Sequence, residues 1–245
     1  MKQIQELPLA EQKRFIKECF KDLKFNEELH RYSLPDRTIK KSVSTVIKDF
    51  IPKADFYNIA KNIDRKQGLP EGTTFRLWEL KGKESTAKGN KAHFFGEVYA
   101  KYPVLQPETG YEVAVKSFIE DLPDYLEIAF TELVMYHKEY LFAGTMDLLL
   151  YNTKSNSYIV ADYKTNADLY KSFGKLLHPF YLYDNNALNK YMLQLSTYQL
   201  MLEQTGVKVH NRVVVWLKPN GFYELIPVDD VTQELNKYYK KVYVK

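Results

Sequence analysis

The sequence predicts an α/β protein with a central mixed β-sheet flanked by helices, and three observations carry that expectation. Residues 125–136, 140–151 and 158–164 form three consecutive β-type runs. A helical stretch at 187–204 follows them and leads into a strongly β-forming run at 209–217. A long, mostly helical region at 53–102 comes before them. Strands ordered among helices in this way bury a sheet between helical layers. The chain ahead of residue 106 adds an N-terminal helical and β subregion.

The elements follow from local pattern. Pro8 to Lys24 reads as an amphipathic helix, with Phe15, Ile16, Cys19, Phe20 and Leu23 at helical spacing and Pro8 suited to the first turn. Leu29 to Leu34 reads as a strand that turns at Pro35-Asp36-Arg37. Ser42 or Ser44 starts a short helix, whose free N–H groups and hydroxyls suit either a plain cap or a phosphate contact. Gln67 to Gly72 interrupts the helical region, and its second half carries Lys81, Lys83, Lys88 and Lys91. Those lysines either track a nucleic-acid backbone or form a solvated face. Tyr111 to Leu122 reads as a further helix. After Thr165 a connector runs to about Asn186, and the helix at 187–204 ends near Gly206. Pro219-Asn220-Gly221 turns the chain so that Phe222 to Val228 pairs back on 209–217. Asp229 is expected to cap a last helix rich in tyrosine and lysine.

Composition sets bounds. The 245 residues fit one domain, divided into an N-terminal part (1–105), a core (106–228) and a C-terminal helix (229–245). No apolar run approaches a membrane span and the first residues lack a signal-peptide core, so a cytoplasmic protein is expected. The single cysteine, Cys19, excludes an internal disulfide and an iron–sulfur cluster held by this chain, which needs several thiolates. A net charge of +4 permits nucleic-acid binding without requiring it. Twenty tyrosines and fourteen phenylalanines are mostly core, with some available to stack on unpaired bases.

The chemistry concentrates in GTMDLLLYNTKSNSYIVADYKTN. Leu148 to Tyr151 and Tyr158 to Ala161 are short apolar runs, and Asn152 to Ser157 is turn-forming, so the segment reads as a β-hairpin. Asp147 then opens one strand and Asp162 closes the other, and antiparallel pairing brings them together. Side chains alternate along a strand, so Asp162 and Lys164 share a face while Tyr163 points away. Two carboxylates are hard ligands for Mg²⁺ or Mn²⁺, and such an ion acidifies water and neutralises phosphate charge. Lys164 is placed to orient the attacking water or stabilise the transition state. This trio suits phosphodiester hydrolysis, although a D-x-K tripeptide by itself is also what a solvated strand edge looks like.

The same residues carry a family resemblance. GTMD followed by VADYKT resembles the core of the PD-(D/E)XK nuclease superfamily, with its restriction-endonuclease-like fold, and specifically the RecB-like branch. Gly89-Asn90-Lys91-Ala92-His93 resembles that branch's G-x-x-x-H helix, and Gln194 to Tyr198 its Q-x-x-x-Y motif. Lys41-Ser42-Val43-Ser44-Thr45 resembles the P-S-V-T segment of phage-type and mitochondrial-genome-maintenance-type exonucleases, with lysine in the place of proline. Trp78-Glu79 matches the approach to the histidine helix. Pro179 to Leu193 resembles the phage-type P-x-x-x-x-D-x-N pattern, where Asp184 would help position substrate unless it is merely loop. The likeness covers roughly residues 25 to 226, and its motifs are specific as a set.

The resemblance implies site roles. His93, Asp147, Asp162 and the Tyr163 carbonyl would hold Mg²⁺, with Mn²⁺ a good substitute beside a nitrogen ligand. Asp147, Asp162 and Lys164 would be catalytic. Gln194, Tyr198, Ser44 and Thr45 would bind substrate. Glu132 would support the ligands, and Glu97, one turn beyond His93, would do the same or be a surface carboxylate. Gly89 is expected to let the histidine helix approach another element. His30, His137, His178 and His210 have no comparable setting. The implied activity is a metal-dependent DNA exonuclease without an iron–sulfur cluster, acting on single strands threaded through a helical arch before His93. Phage or mobile-element replication, recombination or repair is the implied setting, with a helicase or single-strand-binding protein as a partner. A structure-specific endonuclease of the same fold, or a non-catalytic nucleic-acid-binding protein, are the alternatives.

Overall fold

A computed structural model describes residues 4–26, 28–29, 31–39 and 41–244. His30 lies outside the described residues. Helix α1 (Leu9–Phe20) buries Ile16 and Phe20 and ends sooner than its apolar spacing suggests, because Lys24 already belongs to strand β1 (Lys24–Asn26). Strands β2 (Arg31–Leu34) and β3 (Arg37–Ile39) complete a small antiparallel sheet. Leu29 falls in the turn before β2, where its backbone N–H donates to the Asn26 side chain at 2.8 Å. Leu23, Tyr32 and Ile39 pack this sheet against Ala143 of the main sheet.

The main sheet has six strands and is mixed, as expected. Strand β4 (Lys41–Ser42) leads into the single-turn helix α2 (Val43–Val46). Helices α3 (Phe56–Gln67) and α4 (Thr73–Lys101) then form a hairpin whose turn is closed by Asp64. Its buried carboxylate accepts hydrogen bonds from the backbone N–H of Gly72 and Thr74, both at 2.9 Å, and from the Thr74 hydroxyl. Helix α5 (Gly110–Glu120) starts with a capping box between Thr109 and Glu112. Strands β5 (Leu126–Tyr136), β6 (Phe142–Asn152) and β7 (Ser157–Lys164) are the three expected runs. After the connector come α6 (Ala187–Glu203), β8 (Val209–Leu217), β9 (Tyr223–Pro227) and α7 (Thr232–Tyr243). Asp230, not Asp229, accepts the Thr232 N–H at 2.9 Å at the start of α7. Asp229 is instead drawn to the Tyr183 hydroxyl, at 3.1 Å.

Strand order is β4-β6-β7-β8-β9, with β5 along the opposite edge of β6. β7 and β8 run parallel, and the β5–β6, β6–β7 and β8–β9 pairs are antiparallel. One face of the sheet packs on α1, α6 and α7 through residues such as Ile16, Met146, Val160, Leu195 and Tyr239. The other packs on α4 and α5 through Phe95, Val115, Phe118, Leu148 and Tyr163. No helix among the described residues is long and apolar enough to cross a membrane.

Candidate active site

The site forms where β6 loses its neighbours on one edge. Along that edge β4 pairs only with Phe142 and Ala143, and β7 pairs only from Leu148 onward. The stretch 144–147 between them is left open. Leu148 pairs with Ala161, so Asp147 and Asp162 stand next in register at the mouth of the split. Asp147 lies in the middle of β6 rather than at its start, because the strand continues back through Gly144 to Phe142. Gly144 is needed there: a Cβ would come within 2.8 Å of both the Tyr198 ring and Val43. The gap is bridged by the Asp147 carboxylate, which accepts the Tyr163 backbone N–H at 3.1 Å.

The alternation read from the sequence holds along β7. Asp162 and Lys164 share a face and form an ion pair, while the Tyr163 ring points into the opposite core. Asp162 is 1 % exposed. Among the described residues no hydrogen-bond donor reaches its oxygens other than the Lys164 ammonium. Lys164 lies over the Tyr191 ring, 4.7 Å from its centroid. Tyr191 is held by a hydrogen bond from its hydroxyl to the Asn166 side chain at 2.7 Å.

Helix α4 carries His93 to this split. Its ring lies between two oxygens: Nδ1 is 3.1 Å from the Asp147 carboxylate, and Nε2 is 2.9 Å from the Tyr163 carbonyl. The approach of α4 to β7 depends on Gly96. A Cβ there would meet the Tyr163 ring at 2.9 Å and Val115 at 3.2 Å. At Gly89, where the sequence suggested the close approach, a Cβ would sit at an ordinary 3.5 Å from the Thr165 hydroxyl.

Glu132 completes a cluster that the sequence underrates. It falls between the Thr131–Leu148 and Leu133–Met146 pairs, so it faces Asp147 across the strands. Its backbone is left-handed, with φ of 50°, which is strained for a side chain of this kind. Ligand atoms of His93, Glu132 and Asp147 lie within 4.8 Å of one another. The strand sequence alone does not single it out, since β5 carries Glu127 as well as Glu132.

The electrostatics are those of crowded acid groups. Burial, then the Asp147 charge, pushes Glu132 up to about 7. The same two causes raise Asp162. Burial also acts to raise Asp147, yet the His93 and Lys164 cations overcome it and hold Asp147 below the usual carboxylate range. Burial opposes charge on His93, but the Asp147 carboxylate and its hydrogen bond win and lift the imidazole to about 9. Lys164 loses charge stability to burial and regains more from Asp162 and Asp147, so it stays an ammonium. A divalent cation fits this donor set. It would find the carboxylates of Glu132 and Asp147 and one imidazole nitrogen, and would relieve the carboxylate repulsion, with the buried Asp162 oxygens close behind Asp147 in register.

The remaining predicted residues divide. Ser44 lines the cleft beside Ser42, and the Ser42 hydroxyl is within hydrogen-bond distance of both the Ser44 hydroxyl, at 2.8 Å, and the Thr45 hydroxyl, at 3.0 Å. Tyr198 is buried, donates to the Thr145 carbonyl at 2.7 Å and receives the Gln194 amide at 3.3 Å. That chain braces β6 beside Asp147. Glu97 lines the cleft but pairs with Lys101 at 2.7 Å. Lys91 pairs with Glu108 at 2.6 Å, while Lys81, Lys83 and Lys88 are exposed along α4. Asp184 pairs with Lys175 at 2.9 Å, and Asn186 caps α6 through the Asn189 N–H.

Two cavities share the histidine in their walls. A cleft of about 710 Å³ contains Glu132, Asp147, Ser42, Ser44 and Tyr198. A second, of about 370 Å³, contains Lys164, Thr165, Asn166 and Tyr191. Both are lined by Asn90 and His93.

The split sheet thus brings paired aspartates, an adjacent lysine and a helix-borne histidine to one place. The family model of the PD-(D/E)XK nuclease superfamily matches residues 93–224, more than half of the 245-residue chain. The chain belongs to that superfamily. The match opens on His93 and spans Glu132, Asp147, Asp162, Lys164, Gln194 and Tyr198. A comparison with curated proteins finds no match.

Proposed function

We propose that this nuclease is a Mg²⁺- or Mn²⁺-dependent deoxyribonuclease of the RecB-like branch, acting as an exonuclease on single-stranded ends. The observation that carries the reading is the placement of His93, Asp147, Asp162 and Lys164 at the split between β6 and β7, with a cavity on each side of His93. His93, Asp147, Asp162 and the Tyr163 carbonyl hold the cation, with Glu132 at its border. When bound, the cation neutralises phosphate charge and acidifies water. Lys164, kept charged by Asp162 and seated on Tyr191, orients the attacking water and stabilises charge on the phosphorus. Tyr198 and Gln194 hold β6 so that Asp147 does not drift, and Ser42 and Ser44 offer hydroxyls to the strand.

The α3–α4 hairpin, whose second helix carries exposed lysines and leads into His93, is the candidate for the arch that receives a single strand. The phage-like sequence segments favour a role in phage or mobile-element DNA replication, recombination or repair, beside a helicase or single-strand-binding protein.

Cleavage of end-labelled linear and circular single strands with Mg²⁺ or Mn²⁺ tests this. The linear strand is degraded and the circle survives. Asp162→Ala and Lys164→Ala each lose about a hundredfold or more of the rate, the scale of a lost catalytic group. Variants that cut like the parent would refute the assigned chemistry. A cleaved circle would favour the endonuclease, and tight binding without cleavage the non-catalytic protein.

A further inference from the structure

The 710 Å³ cleft is larger than a cation and a phosphate group need, and its walls differ in kind. One wall carries His93, Glu132 and Asp147. The opposite character comes from Phe25, Tyr32 and Phe94. Phe25 and Tyr32 stack on each other, with centroids 4.6 Å apart, and Tyr32 is tied to Thr145 of β6 at 3.1 Å. Phe94 is different: it is 65 % exposed, and among the described residues no ring packs on it. It follows His93 directly on α4. Asn90 lies four residues earlier, so its amide shares the Phe94 face of the helix. Asn90 is exposed, and among the described residues its side chain makes no hydrogen bond.

Other rings on this surface are as exposed, Phe173 and Phe222 among them, but Phe94 lines the cleft that holds the carboxylates, so its free face is open to whatever enters there. We infer that Phe94 is the stacking platform for an unpaired nucleobase next to the scissile phosphate, with the Asn90 amide set to meet that base's edge. The cleft then takes one nucleotide unit in two halves, with sugar-phosphate toward the carboxylates and base toward the ring. A base inside a duplex cannot present its face to Phe94, so the ring selects single strands at the site itself, independently of the arch. The inference rests on the nuclease reading and deepens it by naming the feature of the substrate that is gripped.

Binding without metal separates this proposal from the cleavage chemistry. Fluorescence anisotropy in chelator compares a thymidine oligomer with an abasic deoxyribose-phosphate oligomer of the same length. The parent binds the thymidine oligomer more tightly. Phe94→Ala weakens that binding about 10- to 100-fold, the scale of a lost base stack, and leaves the abasic oligomer unaffected. Phe94→Trp restores the preference. Phe94→Ala keeps the parent's melting temperature, since the ring is exposed. Equal weakening of both oligomers, or of neither, overturns the stack. A parent that binds the two oligomers alike also overturns it while leaving the nuclease assignment to the linear-and-circular cleavage assay.

Discussion

At the scale of single residues, the site stores free energy that the fold offsets elsewhere. Glu132 combines a left-handed backbone with a half-buried carboxylate facing Asp147. Both features are unfavourable without a cation. The carboxyl, raised to about 7 by burial and then by Asp147, is protonated in the fold at a pH where the unfolded chain has already ionised it. The penalty therefore grows as pH rises through the interval between the ordinary glutamate value and about 7, and it is fully developed by pH 8. Glu132→Gln is expected to stabilise the protein in chelator by about 1–3 kcal/mol at pH 8, with the gain shrinking as pH falls toward 4.5. Glu132→Gly relieves the backbone as well and should exceed Glu132→Ala by up to about 1 kcal/mol. Urea melts at pH 8 and pH 5 would decide it. A variant less stable than the parent at pH 8 would mean that the carboxylate is well satisfied as it stands. The cleavage rate of Glu132→Gln should fall while its stability rises, the usual trade at a functional site.

At the scale of elements, the distance between α4 and β7 sets where His93 stands relative to the proposed site. Gly96 lets the Tyr163 ring lie against the helix, and the Tyr163 carbonyl in turn meets His93 at 2.9 Å. Gly96→Ala adds a methyl at 2.9 Å from a buried ring that has Phe118 edge-on behind it. Overpacking of this kind costs about 1–3 kcal/mol, only partly offset by the helix preference of alanine, worth about 1 kcal/mol. The helix must also lift, so cleavage should drop with it. Gly89→Ala is the control, because its methyl lands at van der Waals distance. Equal behaviour of the two variants would show that α4 does not set the geometry. The sequence pointed to Gly89 because that glycine lies in the histidine motif, and it could not point to Gly96, whose role depends on a ring from a distant strand. The β-hairpin, by contrast, was legible. A turn-forming segment between two apolar runs fixes which residues pair, and Asp147 and Asp162 follow from the pairing. The extent of β6 was legible as well, since 140–151 reads as one β run, but the reason its Gly144 must be glycine was not, because Tyr198 and Val43 press on it from other elements. The resemblance marks Glu132 only as a support for the ligands, and its place within the His93–Asp147 cluster was not legible because those partners come from other elements.

Across the whole molecule, stability at mildly acidic pH should depend on a residue far from the chemistry. His137 sits in the β5–β6 connection and had no distinguishing context in the sequence. Its ring stacks on Tyr140 at 4.0 Å, and its Nδ1 accepts the Tyr140 N–H at 3.3 Å. The Tyr140 hydroxyl reaches Asn236 of α7, so this corner joins the central hairpin to the C-terminal helix. His137 is 8 % exposed, and burial lowers it to about 4. The folded protein holds the ring neutral, while the unfolded chain protonates it near the ordinary histidine value. Between about 6.5 and about 4 the unfolded state binds the extra proton, so stability falls as pH falls through that window and is fully present above it. The shift predicts a loss of about 2 kcal/mol between pH 7 and pH 5 from this group. His137→Asn keeps an acceptor for the Tyr140 N–H, forfeits the stack and removes the titration. It should be less stable than the parent at pH 7, and the gap should narrow by about 2 kcal/mol at pH 5 in urea melts. A gap that stays constant between the two pH values would show that the imidazole charges freely in the fold, and that the corner opens to water without releasing α7.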